Sequence, residues 1–141
     1  MSAVPNYCYE TQVYYDMTDA AGVVYHSQYL ILMARARTQA LKACGFSVAD
    51  LAKGGLLFVV REATLSFIQP ARLGEMIEVI THVAYRSKTR LHCQQIVRKT
   101  IGESLCCRGK VELVSVNRQL KPIACPQSII DAFVSIEPSA Q

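Results

Sequence analysis

Asp19 heads a stretch, residues 20–49, that holds no other carboxylate, and Ala-Ala-Gly-Val-Val-Tyr-His26 leads from it into an amphipathic helix. A lone acid beside the unsatisfied N–H groups of a helix start is a layout for hydrolysing an activated carbonyl. The acid attacks or activates water, while the donors hold the oxyanion that develops. Asp16 could form an acid pair with Asp19, but loop acids commonly satisfy local N–H groups, and Asp16 is read as structural. His26 can serve as a general base or through its backbone N–H. No Gly-x-Ser-x-Gly elbow accompanies it, which removes support for a Ser-His-Asp hydrolase. His82 and His92 fall on strand patterns and read as ordinary half-exposed residues. Arg86, Lys88 and Arg90 cluster at a hairpin pattern, where they either grip an anionic ligand or form a solvated turn.

The elements that position these residues follow from periodicity. Tyr7 to Tyr15 is rich in aromatic and β-branched residues and predicts a strand; Asp16 to Gly22 has loop chemistry. From Gln28 to Cys44, the residues Tyr29, Met33, Ala36, Ala40 and Cys44 recur at helical spacing. Arg35, Gln39 and Lys42 fall on another face. Ser27 is expected to cap this helix and Gly45 to stop it, while Ser47 caps a short helix from Val48 to Lys53. Period-two strands are then predicted at Phe58 to Ile68, Met76 to Tyr85, Leu91 to Ile101 and Leu105 to Val116, with short connectors at residues 86–89 and 102–103. Adjacent Cys106 and Cys107 are expected to face opposite ways. A helical turn is predicted from Gln127 to Phe133. One long helix and one antiparallel sheet must bury each other, so the expected class is α+β, with a sheet of about five strands around the helix.

Composition narrows the function. A chain of 141 residues, 51% hydrophobic and 18% charged, is expected to fold as one domain, residues 1–141, with looser ends around a core of about 6–133. The low charge hints at a surface covered by another copy of the chain. A net charge of +4 without clustered basic and aromatic residues does not suit nucleic acid. No apolar run approaches the roughly 20 residues of a membrane helix. The six cysteines show neither Cys-x-x-Cys nor zinc spacing, so no metal is expected, and without a Gly-x-Gly-x-x-Gly or Walker-type loop no nucleotide cofactor is indicated. Without a secretory leader pattern at Met1, the thiols are read as reduced and the protein as cytoplasmic.

The segment Val13-Tyr-Tyr-Asp-Met-Thr-Asp-Ala-Ala-Gly-Val-Val-Tyr-His-Ser-Gln-Tyr29, followed by Ala34-Arg-Ala-Arg-Thr38, resembles the hotdog-fold acyl-CoA thioesterases of the 4-hydroxybenzoyl-CoA thioesterase superfamily. The branch it looks most like is the Tol-Pal-associated acyl-CoA thioesterases. Phe58-Val-Val-Arg61, Ile68-Gln-Pro-Ala-Arg72 and the region from Pro122 to Pro126 carry the likeness downstream. The resemblance implies hydrolysis of an acyl-CoA thioester without a cofactor, in homodimers that join sheets edge to edge or in homotetramers, with active sites between subunits. It implies Asp19 as nucleophile or general base, the backbone N–H of His26 as carbonyl donor, and Tyr15 at a pocket position. It also implies that Arg86, Lys88 and Arg90 hold the CoA phosphates. This chain departs from the branch at Ala21, where Gly is usual, at Asp16-Met17, where Glu-Asp is common, and at Ala34, where Glu is usual. Ala34 removes any mechanism that uses a helix-borne carboxylate. An acyl-carrier-protein thioesterase and a non-catalytic acyl-ligand-binding or scaffold protein are the alternatives.

Overall fold

The computed structural model describes residues 7–134. The expected looseness of the chain ends, and the core boundary at residue 6, therefore lie outside the described residues. The elements are β1 (Tyr7–Gln12), a 3-10 turn (Tyr15–Met17), α1 (Gln28–Ala43), α2 (Val48–Lys53), β2 (Leu57–Phe67), β3 (Met76–Ser87), β4 (Arg90–Lys99), β5 (Leu105–Val116) and α3 (Gln127–Phe133). Strand β1 stops three residues short of the expected Tyr15. There the chain turns, with the Met17 N–H donating to the Tyr14 carbonyl at 2.9 Å.

The strands form one sheet in the order β1-β3-β4-β5-β2, and every neighbouring pair is antiparallel. The β3-β4-β5 meander follows from its short connectors; β3 and β4 meet through a two-residue turn, Lys88-Thr89. Strand β2 arrives after the helices and takes the outer edge beside β5, so the helical connection spans the sheet and α1 lies across it.

Tyr29, Met33, Ala36 and Ala40 are buried, as the helical spacing predicts, and Leu32 and Leu41 join them. Two apolar clusters result. One holds the first half of α1 against Val13, Ile77, Val79, Val97, Cys106 and Cys107; the other holds the second half with Val83, Leu91, Cys93 and Phe133. Between them sits a buried polar link. The Gln95 side-chain amide N–H groups donate to the Met33 carbonyl at 3.0 Å and to the Thr81 hydroxyl at 2.9 Å, so helix, β3 and β4 are tied at one point. Gly109 on β5 faces the same helix, and a Cβ there would come within 2.6 Å of the Met33 Sδ and Cε. The bare strand position is the seat of the Met33 tip.

Two expectations fail for identifiable reasons. Cys106 and Cys107 are both buried in the same cluster, because the β4–β5 register runs from Val97↔Cys107 to Arg98↔Leu105 and leaves Cys106 unopposed. Such a bulge breaks the two-residue alternation on which the expectation rested. His82, expected to be half-exposed, is 8% exposed.

Candidate active site

The loop that carries Asp19 is held in place by its backbone. The Val24 N–H donates to the Ala71 carbonyl at 2.9 Å, Tyr25 to Met17 at 3.0 Å, and Leu73 to Gly22 at 2.9 Å. Within the loop, the Ala21 N–H donates to Asp19 Oδ1 at 2.8 Å, and the Gly22 N–H to the Asp19 carbonyl at 3.0 Å. This is the side-chain turn that short acids favour. Gly22 then takes φ of 76°, a left-handed value that suits glycine. Ala21, where the branch carries Gly, does not need that conformation.

The helix begins differently from expectation. Ser27 is itself in helical conformation and its side chain makes no capping bond. Instead the chain enters α1 through tight turns: the N–H groups of Gln28, Tyr29 and Leu30 donate to the carbonyls of Tyr25, His26 and Ser27. The N–H groups of His26 and Ser27 meet no acceptor among the described residues. These are the orphan donors of a helix start, and they carry its partial positive charge. The His26 imidazole rests against the Tyr25 ring, with centroids 4.4 Å apart.

Asp19 and His26 line one cleft of about 300 Å³ together with Val24, Tyr29, Phe67 and Cys106. Phe67 packs on Tyr29 at 5.7 Å between ring centroids, and the Tyr29 hydroxyl accepts from the Ala71 N–H at 3.4 Å. Burial pushes the Tyr29 phenol up to about 12 and raises the Cys106 thiol, so both are neutral near pH 7. The cleft thus combines one carboxylate and apolar walls with His26, whose N–H is free among the described residues. Asp19, Val24, His26 and Tyr29 form its loop and helix side, and the rest of the lining comes from the end of β2, the Ile68-Gln-Pro70 segment after it and Cys106 at the β5 bulge. The Ile68-Gln-Pro stretch marked this region in sequence, whereas Cys106 gave no signal.

The structure separates the other expected site residues from this cleft. Tyr15 lies on the 3-10 turn, 82% exposed, and its carbonyl accepts from the Thr18 hydroxyl at 2.7 Å; its side chain is not part of the cleft wall of its own chain. Arg86, Lys88 and Arg90 stand at the β3–β4 hairpin, at the far end of the sheet. Arg90 pairs with Val114, while the cleft end of β4 is marked by Val97 beside Cys107. Seven residues of strand, about 23 Å, lie between. Arg90 also shares Glu112 with Arg61, at 3.6 and 3.1 Å, whereas Arg86 and Lys88 form no ion pair among the described residues. The hairpin backbone is fixed, since Cys125 donates to the Lys88 carbonyl at 2.7 Å and Ser115 to Thr89 at 2.9 Å.

A five-stranded antiparallel sheet around one long helix, with a carboxylate and open N–H groups at the helix start, is the hotdog architecture of a thioester hydrolase. The chain belongs to the thioesterase-like superfamily, whose family profile matches residues 13–133. It is 38% identical over 124 residues to the acyl-CoA thioester hydrolase YbgC of Escherichia coli, a match covering 86% of this chain and 91% of that protein. The acyl-CoA thioesterase YbgC of Haemophilus influenzae is 32% identical over 130 residues, covering 90% and 93% of the two chains. Among solved structures, a 1,4-dihydroxy-2-naphthoyl-CoA thioesterase from Synechocystis superposes with a TM-score of 0.85 at 26% identity, over 91% of this chain and 95% of that one. No helix among the described residues is long and apolar enough to cross a membrane.

Proposed function

We propose that the protein hydrolyses the thioester of an acyl-CoA to the free acid and CoA thiol. The observation that carries this reading is that Asp19 and His26 line the same cleft and that the His26 N–H has no acceptor among the described residues. The thioester carbonyl oxygen accepts from the His26 N–H, with the Ser27 N–H beside it, and these donors stabilise the oxyanion. Asp19 either attacks the carbonyl carbon, giving an acyl-aspartyl anhydride that water then cleaves, or removes a proton from the attacking water. In both routes the CoA thiolate leaves. Asp19 is held by a single N–H donor from Ala21 and is otherwise exposed, which leaves it accessible to water and substrate.

Two copies of β2 pairing across a two-fold axis would complete the site, as a homodimer or within a homotetramer. Antiparallel self-pairing sets one end of a strand against the other end of its copy. The partner's basic hairpin then approaches the cleft that its own chain cannot reach. The exposed apolar residues Val59, Val60 and Phe67 on the free edge support this arrangement. The reduced state of the cysteines, none of which is in a disulfide among the described residues, is consistent with a cytoplasmic protein.

The direct test is hydrolysis of short, long and aromatic acyl-CoAs, each matched with the same acyl group on an acyl carrier protein. Turnover of the CoA series above a protein-free control is expected; binding without turnover, or turnover of carrier-linked substrates alone, would overturn the proposal. Replacing both Arg86 and Lys88 by Ser is expected to raise KM for acyl-CoA about five- to tenfold, from loss of exposed contacts to phosphate, with a smaller change in kcat. The difference from wild type should narrow at high ionic strength, and an unchanged KM at low salt would remove the hairpin from the site. His26→Ala keeps the backbone donor, so its kcat is expected to stay within about tenfold of wild type, below the usual effect of losing a general base. Steady-state kinetics checks this, and a loss as large as that of an Asp19 variant would mean the imidazole takes part.

A further inference from the structure

A second cavity, of about 250 Å³, opens between α1, α2 and β2, with walls that include Leu41, Leu51, Leu56, Phe58 and Phe133. Among the described residues, one charged side chain, Arg37, lines it. The Arg37 Nη1 donates to Gln95 Oε1 at 3.0 Å, and Gln95 is itself 1% exposed and committed to Met33 and Thr81. The guanidinium is therefore set in place by a buried, saturated amide. Only one of its N–H groups is used in that bond, and no carboxylate among the described residues forms an ion pair with it. A fixed, half-buried guanidinium at an apolar cavity, with no carboxylate partner among the described residues, is built for a single anionic group, and its planar fork matches a carboxylate.

Arg37 lies eleven residues beyond His26 on α1, about 16 Å along the axis. Two-fold pairing of β2 shortens the route, because it brings the partner's Phe58 end of β2 opposite the Phe67 that walls the Asp19 cleft. We infer that the partner subunit's Arg37 binds a carboxylate at the far end of the acyl group, so that the favoured substrates are ω-carboxyacyl thioesters, the half-thioesters of dicarboxylic acids. This rests on the acyl-CoA reading of the Asp19 cleft and deepens it by naming the acyl class.

The test compares glutaryl-, adipoyl- and suberoyl-CoA with pentanoyl-, hexanoyl- and octanoyl-CoA, using the full-length wild-type protein and Arg37→Gln. At one or more lengths, wild type is expected to favour the carboxylate member by at least about tenfold in kcat/KM, the scale of one charge-assisted fork. Arg37→Gln should bring that ratio to one or below. A general structural defect would lower both members of each pair and leave the ratio unmoved, and that result would overturn the inference. So would hydrolysis of the methyl-terminated series by wild type with no carboxylate preference at any length, an outcome that leaves the acyl-CoA reading intact. Absence of turnover with all six substrates would also overturn the inference, while the acyl-CoA reading is then decided by the aromatic members of the acyl-CoA series. If Arg37→Gln does not fold, Arg37→Lys carries the test, since it keeps the charge and loses the fork, and the ratio should fall severalfold.

Discussion

Asp19→Asn is expected to yield a folded protein whose kcat for acyl-CoA hydrolysis is lower by at least about a hundredfold, the usual minimum when a general base or nucleophile is removed. The fold should survive for a local reason. The carboxylate accepts one hydrogen bond, from the Ala21 N–H, and the Asn carbonyl oxygen can accept the same one. The side chain is exposed, so no buried charge is stranded. Among the described residues no other carboxylate lines the cleft wall, so none of them is placed to take over the proton or the attack. Melting temperature, circular dichroism and steady-state kinetics on the same preparation check the prediction. Wild-type activity in a cleanly purified Asn variant would exclude Asp19 from the chemistry.

On the proposed two-fold pairing of β2, Val60→Lys is expected to separate the subunits and silence the enzyme together. Val60 lies on the free edge strand and is half exposed in the single chain, so the monomer should still fold. Across a two-fold contact the substitution acts twice: two valine side chains lose burial and two ammonium groups are brought near each other. A loss of about 4 kcal/mol in association weakens the dimer roughly a thousandfold. Sedimentation should show monomer at concentrations where wild type is paired. Specific activity should rise with enzyme concentration in the variant, a dependence that simple damage to the nearby cavity would not produce. A monomeric variant with full activity would refute a site shared between chains.

Much of this architecture is legible in local pattern. The long helix was predictable because Tyr29, Met33, Ala36 and Ala40 repeat on one face, and the meander because the strands alternate and their connectors are short. Asp19 stood out because no further carboxylate follows it through residue 49. What failed depended on partners distant in sequence or on a small change of backbone. Ser27 has the right chemistry for a cap, but the chain already turns at Tyr25, which puts Ser27 inside the helical rotation. Tyr15 looked like part of a strand, yet Met17 closes a turn beneath it. Cys106 entered the cleft through a bulge defined only by the pairing of β5 with β4. The distance between the Asp19 cleft and the basic hairpin was equally hidden, since it depends on sheet register that no short window contains.

The contact between Met33 and Gly109 works as a spacer of fixed thickness. The helix can lie as low on the sheet as it does because the strand offers no side chain at that point. Two turns earlier, at the entry to the same helix, are the His26 and Ser27 donors, while the Asp19 loop is anchored through Gly22 and Val24 to residues 71–73. Adding bulk beneath Met33 would tilt or lift the helix without moving the acid, and so alter the gap between donor and acid from a position that touches neither. Turnover at the proposed Asp19 site is therefore expected to respond to changes in the interior of the sheet, with the reacting groups themselves left unchanged.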